Sequence, residues 1–328
     1  MSELISVIIP VFNAGEYIGD CLRRLMDSPY KELEILVVDD GSTDDSRAVC
    51  TALGALDSRI RLLRQRNMGV SAARNLGIAR ARGRYLMFAD ADDLPDGSVL
   101  FRAVAEMEHA RLVCWNICCR YGEGTVKEPP LPLERSTGEA LYAGAIAPDG
   151  TCGRYFRACW GKLFDGEIIR KQDIRFDETL YIGEDAVFLL EYLQHAGEVR
   201  FLQEYGYTYR KTDTSAVYRQ KPDLLEQSLH QAERIEEFVS CHDNPGLRTA
   251  QTALYWNIFG KLLQNGGKDA QRWLRVMKPK LFAAGVLKGR MSRLCRLQYC
   301  LGRYLPSKVL CGLTAAVLDR RKRRERHG

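Results

Sequence analysis

The stretch YLMFADADDLPDG, residues 85 to 97, sets four carboxylates, Asp90, Asp92, Asp93 and Asp96, directly behind an apolar run. A second acidic pair, Asp39-Asp40, follows EILVV, and a third, Glu184-Asp185, opens the segment EDAVFLLEYL. Like charges this close repel one another, so each group requires a counter-charge. Asp90 and Asp92 are alternate residues, which in an extended segment point the same way. A hard divalent cation, Mg²⁺ or Mn²⁺, suits such a pair, since it takes one or two carboxylates and leaves its other positions to water and substrate phosphates. The competing reading is capping of a helix beginning near Leu94-Pro95, which accounts for Asp92 or Asp93 and leaves Asp90 unexplained. Glu184 and Asp185 by themselves suit favourable placement of acids at the positive end of a helix dipole.

The elements that must position these acids follow from hydrophobic periodicity. LISVIIPV, residues 4 to 11, is a continuous β-branched run closed by a turn at Phe12 to Gly15, and residues 16 to 27 carry apolar positions at helical spacing. ELEILVVDD repeats the strand, GSTDDS is a loop in which Ser42 or Thr43 could cap the helix of residues 45 to 56, and IRLL is a short third strand. GVSAARNLGIARA is an Ala-rich helix, and GRYLMFAD is the next strand. Continuous rather than alternating apolar strands separated by helices predict a parallel sheet covered on both faces. Ligands of such sheets bind beyond the carboxyl ends of the strands, where Asp39-Asp40 and Asp90 to Asp93 both fall. Past residue 97 the pattern loosens. Residues 127 to 138 predict an irregular surface excursion, 184 to 196 a helix, VRFLQEYGYTYRK a strand or extended loop, and 222 to 318 mostly helix.

SVIIPVFNAGEYIGDCLRRL, EILVVDDGSTDDS and RNMGVSAARNLGIARARGRYLMFADADD, in that order over about residues 4 to 97, resemble the nucleotide-sugar half of the family-2 glycosyltransferases. The resemblance implies an α/β GT-A fold, a Rossmann-like, mostly parallel sheet flanked by helices. It implies metal-dependent, inverting transfer of a hexose or N-acetylhexosamine from a UDP-sugar, with Mn²⁺ or Mg²⁺ as cofactor. By position, Pro10 and Phe12 would border the base, Asp39 would contact the uracil ring and Asp40 would begin the DGS turn. Asp90 would lie near the ribose and Asp92 would bind the metal, while Arg66 or Asn67, Gly69 and Arg74-Asn75 would belong to the donor-contacting segment. CWGKLFDGEIIRKQDIRFDETLYIGED resembles the acceptor side of the same family, which makes Asp185 the catalytic base and Glu184 its neighbour. Arg210 and Lys211 in YTYRKTDTS would face the leaving diphosphate. Related sequences place a Gly-Ser-x-Ser-like turn next, and Thr212-Asp213-Thr214-Ser215 stands there instead, which puts phosphate contacts from that loop in doubt. Trp160 is the candidate platform for the acceptor sugar, with simple packing as its alternative, whereas Trp115, Trp256 and Trp273 are expected in the core. His195 has no partner in sequence and receives no role.

These readings divide the chain into a GT-A domain over residues 1 to 220, with nucleotide-sugar binding in 1 to 97 and the acceptor side in 98 to 220, and a helical extension over 221 to 328. Composition is that of an ordinary soluble globular protein: 328 residues, 46% apolar and 27% charged. Eleven cysteines without zinc-knuckle spacing predict reduced, partly buried thiols. MSELISVIIPVFN carries no basic segment followed by a long apolar run, and no window reaches about 18 apolar residues, so a cytoplasmic protein is expected. From residue 270 onward 16 Lys and Arg face two acids. With Leu294, Leu297, Leu301 and Tyr304 at helical spacing, residues 290 to 328 are suited to lie peripherally on an anionic membrane, the inner face of the plasma membrane, near a saccharide or lipid-linked acceptor of surface polysaccharide synthesis. A soluble helical cap with a solvated basic tail is the alternative, and no nucleic-acid recognition motif is present. Two other functions compete with transfer: an inactive nucleotide-sugar-binding scaffold, and a sugar-phosphate nucleotidyltransferase. The second expects a Gly-rich loop after the first strand, where FNAGEY has one glycine.

Overall fold

The computed structural model describes residues 3–122, 124–147, 152–153, 155–211, 223–242, 244–264 and 268–283. The chain divides into two compact units, residues 1–218 and 219–328. In the first, four strands alternate with three helices: β1 (Ile5–Val11), α1 (Gly15–Met26), β2 (Leu33–Asp39), α2 (Ser46–Leu56), β3 (Ile60–Arg64), α3 (Val70–Arg80) and β4 (Tyr85–Phe88). The strands pair in parallel in the order β3-β2-β1-β4, with Ile5 opposite both Leu33 and Tyr85. Every residue of β2 and all but Pro10 of β1 are buried, as their unbroken apolar runs require. Gly77 lets α3 lie against β1, since a Cβ there would meet the Ile8 Cγ2 atom at 2.4 Å.

Beyond β4 the sheet becomes mixed. The later elements are β5 (Leu94–Pro95), α4 (Leu100–Glu106), β6 (Leu112–Tyr121), β7 (Gly124–Lys127), β8 (Arg135–Thr137), α5 (Gly138–Ile146), β9 (Lys162–Asp165), α6 (Gly166–Lys171), α7 (Glu184–Leu193) and β10 (Glu198–Lys211). The order continues β4-β9-β6-β10-β5, with β9 antiparallel to both its neighbours and β10 parallel to β6. The GT-A architecture is as expected, though the parallel half ends at β4.

Local departures have identifiable causes. No helix begins at Leu94-Pro95; these residues pair with Thr208 and Tyr207 of β10, and the acid that caps the following single 3-10 turn is Asp96, which accepts from the Ser98 amide at 2.9 Å. The expected excursion over 127 to 138 contains β8, paired with Glu198 to Arg200, and Thr137, which caps α5 by accepting from the Ala140 amide. In the second unit α8 (Leu224–Ser240), α9 (Pro245–Gln264) and α10 (Lys268–Ala283) meet the helical expectation over their lengths, and Trp256 and Trp273 are buried as expected. No helix among the described residues is long and apolar enough to cross a membrane. The basic segment 290 to 328 lies outside the described residues.

At the end of the sheet opposite the acidic loops, Glu34 is buried. It accepts hydrogen bonds from the Ser6 hydroxyl (2.6 Å), the Arg82 amide (2.9 Å) and Arg82 Nε (2.7 Å), and it pairs with Arg61. Burial pushes its carboxyl up, but these donors together outweigh that and hold it below the ordinary 4.5. A depressed folded value means a stability increment that is full above about pH 4.5 and fades as the pH falls through the folded value. Glu34→Gln is therefore expected to cost about 2 kcal/mol at pH 7 in urea unfolding. The gap from wild type should narrow on going to pH 3.5, and a constant gap would contradict the ionised form.

Candidate active site

The loops beyond β1 and β2 are tied together by the first acidic pair. Asp39, buried, accepts from the Ser42 amide at 2.9 Å and lies 3.4 Å from Arg47 Nε. Asp40, also buried, accepts from Gln65 Nε2 (2.7 Å) and from the amides of Met68 and Gly69 (2.8 Å each), so it clamps the loop after β3. Gly41, at φ +77, allows that loop to close, because a Cβ there would stand 2.9 Å from the Asn67 nitrogen. Ser42 and Thr43 do not cap α2. Ser42 accepts from the Asn13 amide, and Thr43 donates its amide to Asn13 Oδ1, while Ser46 and Asp44 accept from Ala14 and Gly15. Asp44 serves both turns, since its other oxygen accepts from the Ser46 amide at the start of α2 at 3.0 Å. The result is a rigid ledge on which Pro10 is half-buried and Phe12, Arg66 and Asn67 are exposed.

The second acidic group is divided among three fates. Asp93 is fully buried, accepts from the Tyr207 hydroxyl (2.7 Å) and the Arg210 amide (2.8 Å), and is pushed well above the ordinary carboxylate range by burial and by the charges of Asp90 and Asp92. Asp90 is also pushed up by burial, opposed by Arg74, whose Nη2 donates to it at 3.0 Å; its own amide donates to the Tyr207 hydroxyl oxygen. Asp92 is half-buried and, among the described residues, has no ion pair. Burial, then the charge of Asp90, pushes its carboxyl up to about 6, with Arg210 opposing. Among the described residues the charge of Asp92 is opposed through space by Arg210 and matched by no direct ion pair.

The third pair reaches the same place through α3. Arg74 Nη1 donates to Asp185 at 2.8 Å and to Glu184 at 3.2 Å, so one guanidinium joins Asp90, beyond β4, to the first turn of α7. Ser71 and Asn75 lie on the same face of the helix. The Ser71 hydroxyl donates to the Leu180 carbonyl, and Asn75 both donates to the Phe176 carbonyl (2.9 Å) and accepts from the Phe176 amide (2.8 Å). Arg74 and Asn75 were expected in the donor-contacting segment; Arg74 is instead 3% exposed, holds acids and lies over the Phe176 ring. Below it Phe176 stacks on Phe188 of α7 at 4.1 Å, and Phe88 meets both edge-on. Asp185 has further donors that spacing did not reveal, the Cys159 amide and thiol, both at 3.3 Å.

Trp160 is 6% exposed, and its ring lies parallel to those of Tyr207 (4.9 Å) and Tyr209 (5.5 Å). The packing alternative describes it better than an open sugar platform, because the aromatic column supports the strand that holds Asp93. Arg210 lies over the Tyr17 ring and pairs with Asp20 at 3.3 Å, on the Asp92 side of the site, and Lys211 bonds the Tyr121 hydroxyl. Thr212 to Ser215 lie outside the described residues. Among the described residues, cysteines 21, 50, 114, 118, 119, 152, 159 and 241 form no disulfide.

The model of "Glycosyl transferase family 2" matches residues 6–165. The chain is 29% identical over 238 residues to the uncharacterized glycosyltransferase EpsJ of Bacillus subtilis, covering 71% of this chain and 69% of that protein. It is 30% identical over 232 residues to the uncharacterized glycosyltransferase YibD of Escherichia coli, covering 69% and 67%. Among solved structures it is similar to residues 1–349 of S. aureus TarS in complex with UDP-GlcNAc, with a TM-score of 0.60, 20% identity and coverage of 92% and 93%.

Removing the shared cation tests this geometry. Arg74→Gln leaves Asp90, Glu184 and Asp185 in place without it, at a cost of about 3–5 kcal/mol at pH 7. Burial already pushes Asp90 and Glu184 above the ordinary carboxylate range against the pull of Arg74, so loss of that cation raises them further and the penalty for charging them, small at low pH, grows as the pH climbs. Scanning calorimetry should show the Tm gap between variant and wild type shrinking from pH 7.5 to pH 5. A gap independent of pH would contradict the shared-cation arrangement.

Proposed function

The chain belongs to glycosyl transferase family 2 and has the GT-A fold, and from this we propose that it is a metal-dependent, inverting enzyme that moves a hexose or N-acetylhexosamine from a UDP-sugar to a saccharide or lipid-linked acceptor in surface polysaccharide synthesis. The observation that carries this reading is the pairing of a carboxylate without an ion pair among the described residues, Asp92, with an ion-paired one, Asp185, beside the same guanidinium-bridged cluster. The first suits binding of a charged donor and the second suits work on an acceptor. The UDP-GlcNAc bound by TarS supports the donor class.

In this reading the ledge at Pro10 and Phe12 receives the base, with Asp39 and Asp40 fixing its loops and Arg66, Asn67 and Gly69 bordering it. Asp185 takes the proton of an acceptor hydroxyl as that oxygen forms its bond to the anomeric carbon and the bond to the UDP oxygen breaks. A single displacement inverts the anomeric configuration. Among the described residues no cluster of three His, Cys, Asp or Glu side chains is arranged for a metal. Asp92 with Asp90 beside it nevertheless fits a Mn²⁺ or Mg²⁺ ion that draws its other ligands from phosphate and water. When bound there, such an ion neutralises negative charge on the departing diphosphate. Arg210 stands on that side of the site and contributes positive potential.

Isothermal titration checks the donor half. UDP should bind at least about tenfold more tightly with Mn²⁺ or Mg²⁺ present, and Asp92→Ala should abolish that gain; metal-independent UDP binding would contradict it. Asp185→Asn is expected to keep UDP affinity and lower transfer by about 10²–10⁴, whereas equal turnover would favour the inactive scaffold. Residues 290 to 328 carry the proposed peripheral attachment to the inner face of the plasma membrane through their apolar and basic pattern. Binding to anionic liposomes at low salt should be lost when they are deleted, and unchanged binding of the shortened chain would refute the attachment.

A further inference from the structure

We propose that Cys159 is a positioning residue for Asp185, its thiol and its amide together fixing the plane of the carboxylate that acts on the acceptor. The inference rests on Asp185 being the base. Asp185 Oδ1 accepts from Arg74 Nη1 at 2.8 Å and from Cys159 Sγ at 3.3 Å, and Oδ2 accepts from the Cys159 amide at 3.3 Å. The donors come from two separate pieces of the fold, α3 on one side and the segment leading into β9 on the other. A carboxylate held by Arg74 alone would be free to turn about its terminal torsion and close a two-pronged pair with the guanidinium, which would occupy both oxygens. Donors on the other side oppose that rotation.

The thiol is well chosen for this work. Cys159 is fully buried, and burial, together with the negative charge of Asp185 and Asp90, pushes the thiol well above its ordinary value despite Arg74, so it takes part as an S–H donor. An S–H group donates weakly. It can orient the carboxylate while withdrawing less of its proton affinity than a hydroxyl would. Other charged groups near Asp185 are Arg74 on α3, Glu184 on its own helix, Asp90 beyond β4, and Arg157 and Lys162 flanking Cys159. All are unchanged by substitution at Cys159, so a difference between variants there reports on the thiol.

The test compares Cys159→Ala and Cys159→Ser in the full chain with a UDP-sugar donor. Cys159→Ala should lower kcat about tenfold, the scale of one lost hydrogen bond to a charged group, with the donor KM within about twofold by the same scale. Cys159→Ser should recover most of the rate. The acidic limb of the kcat/KM profile against pH should move up in Cys159→Ala and down in Cys159→Ser relative to wild type. Equal losses in both variants with no movement of the limb would reduce Cys159 to packing and overturn the proposal. Thermal unfolding of Cys159→Ala, Asp185→Asn and the double variant separates the two readings. A double loss smaller than the two single losses added confirms the contact, and strictly additive losses overturn it. A non-additive cycle alongside an Asp185→Asn enzyme of undiminished turnover would instead overturn the base assignment on which the proposal rests.

Discussion

One buried guanidinium organises the site. Arg74 emerges from α3, which is pressed against β1 through Gly77, and spans the gap between Asp90, which follows the last strand of the parallel half, and the first turn of α7. Three acids drawn to one spot would otherwise drive the two halves of the first unit apart. A buried cation with acids on both sides satisfies all of them, and loss of any partner exposes the rest to the cost of unpaired burial. The planar fork of Arg, which presents donors in two directions at once, is what a Lys could not reproduce.

The acids are consequently sorted by environment. Asp93 is sunk beneath Tyr207 and the β10 backbone and works as a structural hydrogen-bond acceptor. Asp90 is matched by Arg74. Asp92, two residues from one and adjacent to the other, has no ion pair among the described residues. A run of like-charged residues thereby acquires different roles from the geometry of a single short turn, and the unmatched member marks where a cationic ligand gains the most.

Preorganisation is the second theme. Asp39, Asp40, Asn13, Ser42, Asp44 and Ser46 spend their polar atoms on the backbone of the loops beyond β1, β2 and β3, so the ledge is held together by the protein's own hydrogen bonds. Under α7, the Phe88, Phe176 and Phe188 cluster fixes the height of Asp185. The column of Trp160, Tyr207 and Tyr209 does the same for Asp93. Rigid supports of this kind let a few charged atoms hold their separations without reorganisation when chemistry begins.

Local chemistry was enough to recover the βα units from Ile5 to Phe88, their parallel pairing and the placement of acids at the strand ends, because continuous apolar runs and helical spacing act over a few residues. It could not assign a partner to each acid. Arg74 and Asp185 are 111 positions apart, and Cys159 and Asp185 are 26 apart with no periodic relation. The resemblance placed Arg74 and Asn75 in the donor-contacting segment, but nothing in the spacing said which distant residues they would grip. Capping went to Asp96 rather than Asp92 or Asp93 because β10 arrived to pair with Leu94-Pro95, and Ser42 and Thr43 were drawn to Asn13 because β1 and β2 are neighbours. Trp160 was drawn into a stack for the same kind of reason, since Tyr207 and Tyr209 sit on one face of a strand some fifty residues away. Spacing along the chain thus named the groups capable of chemistry, and the pairing of distant strands and helices in space chose which of them are ion-paired and which are spent on the backbone.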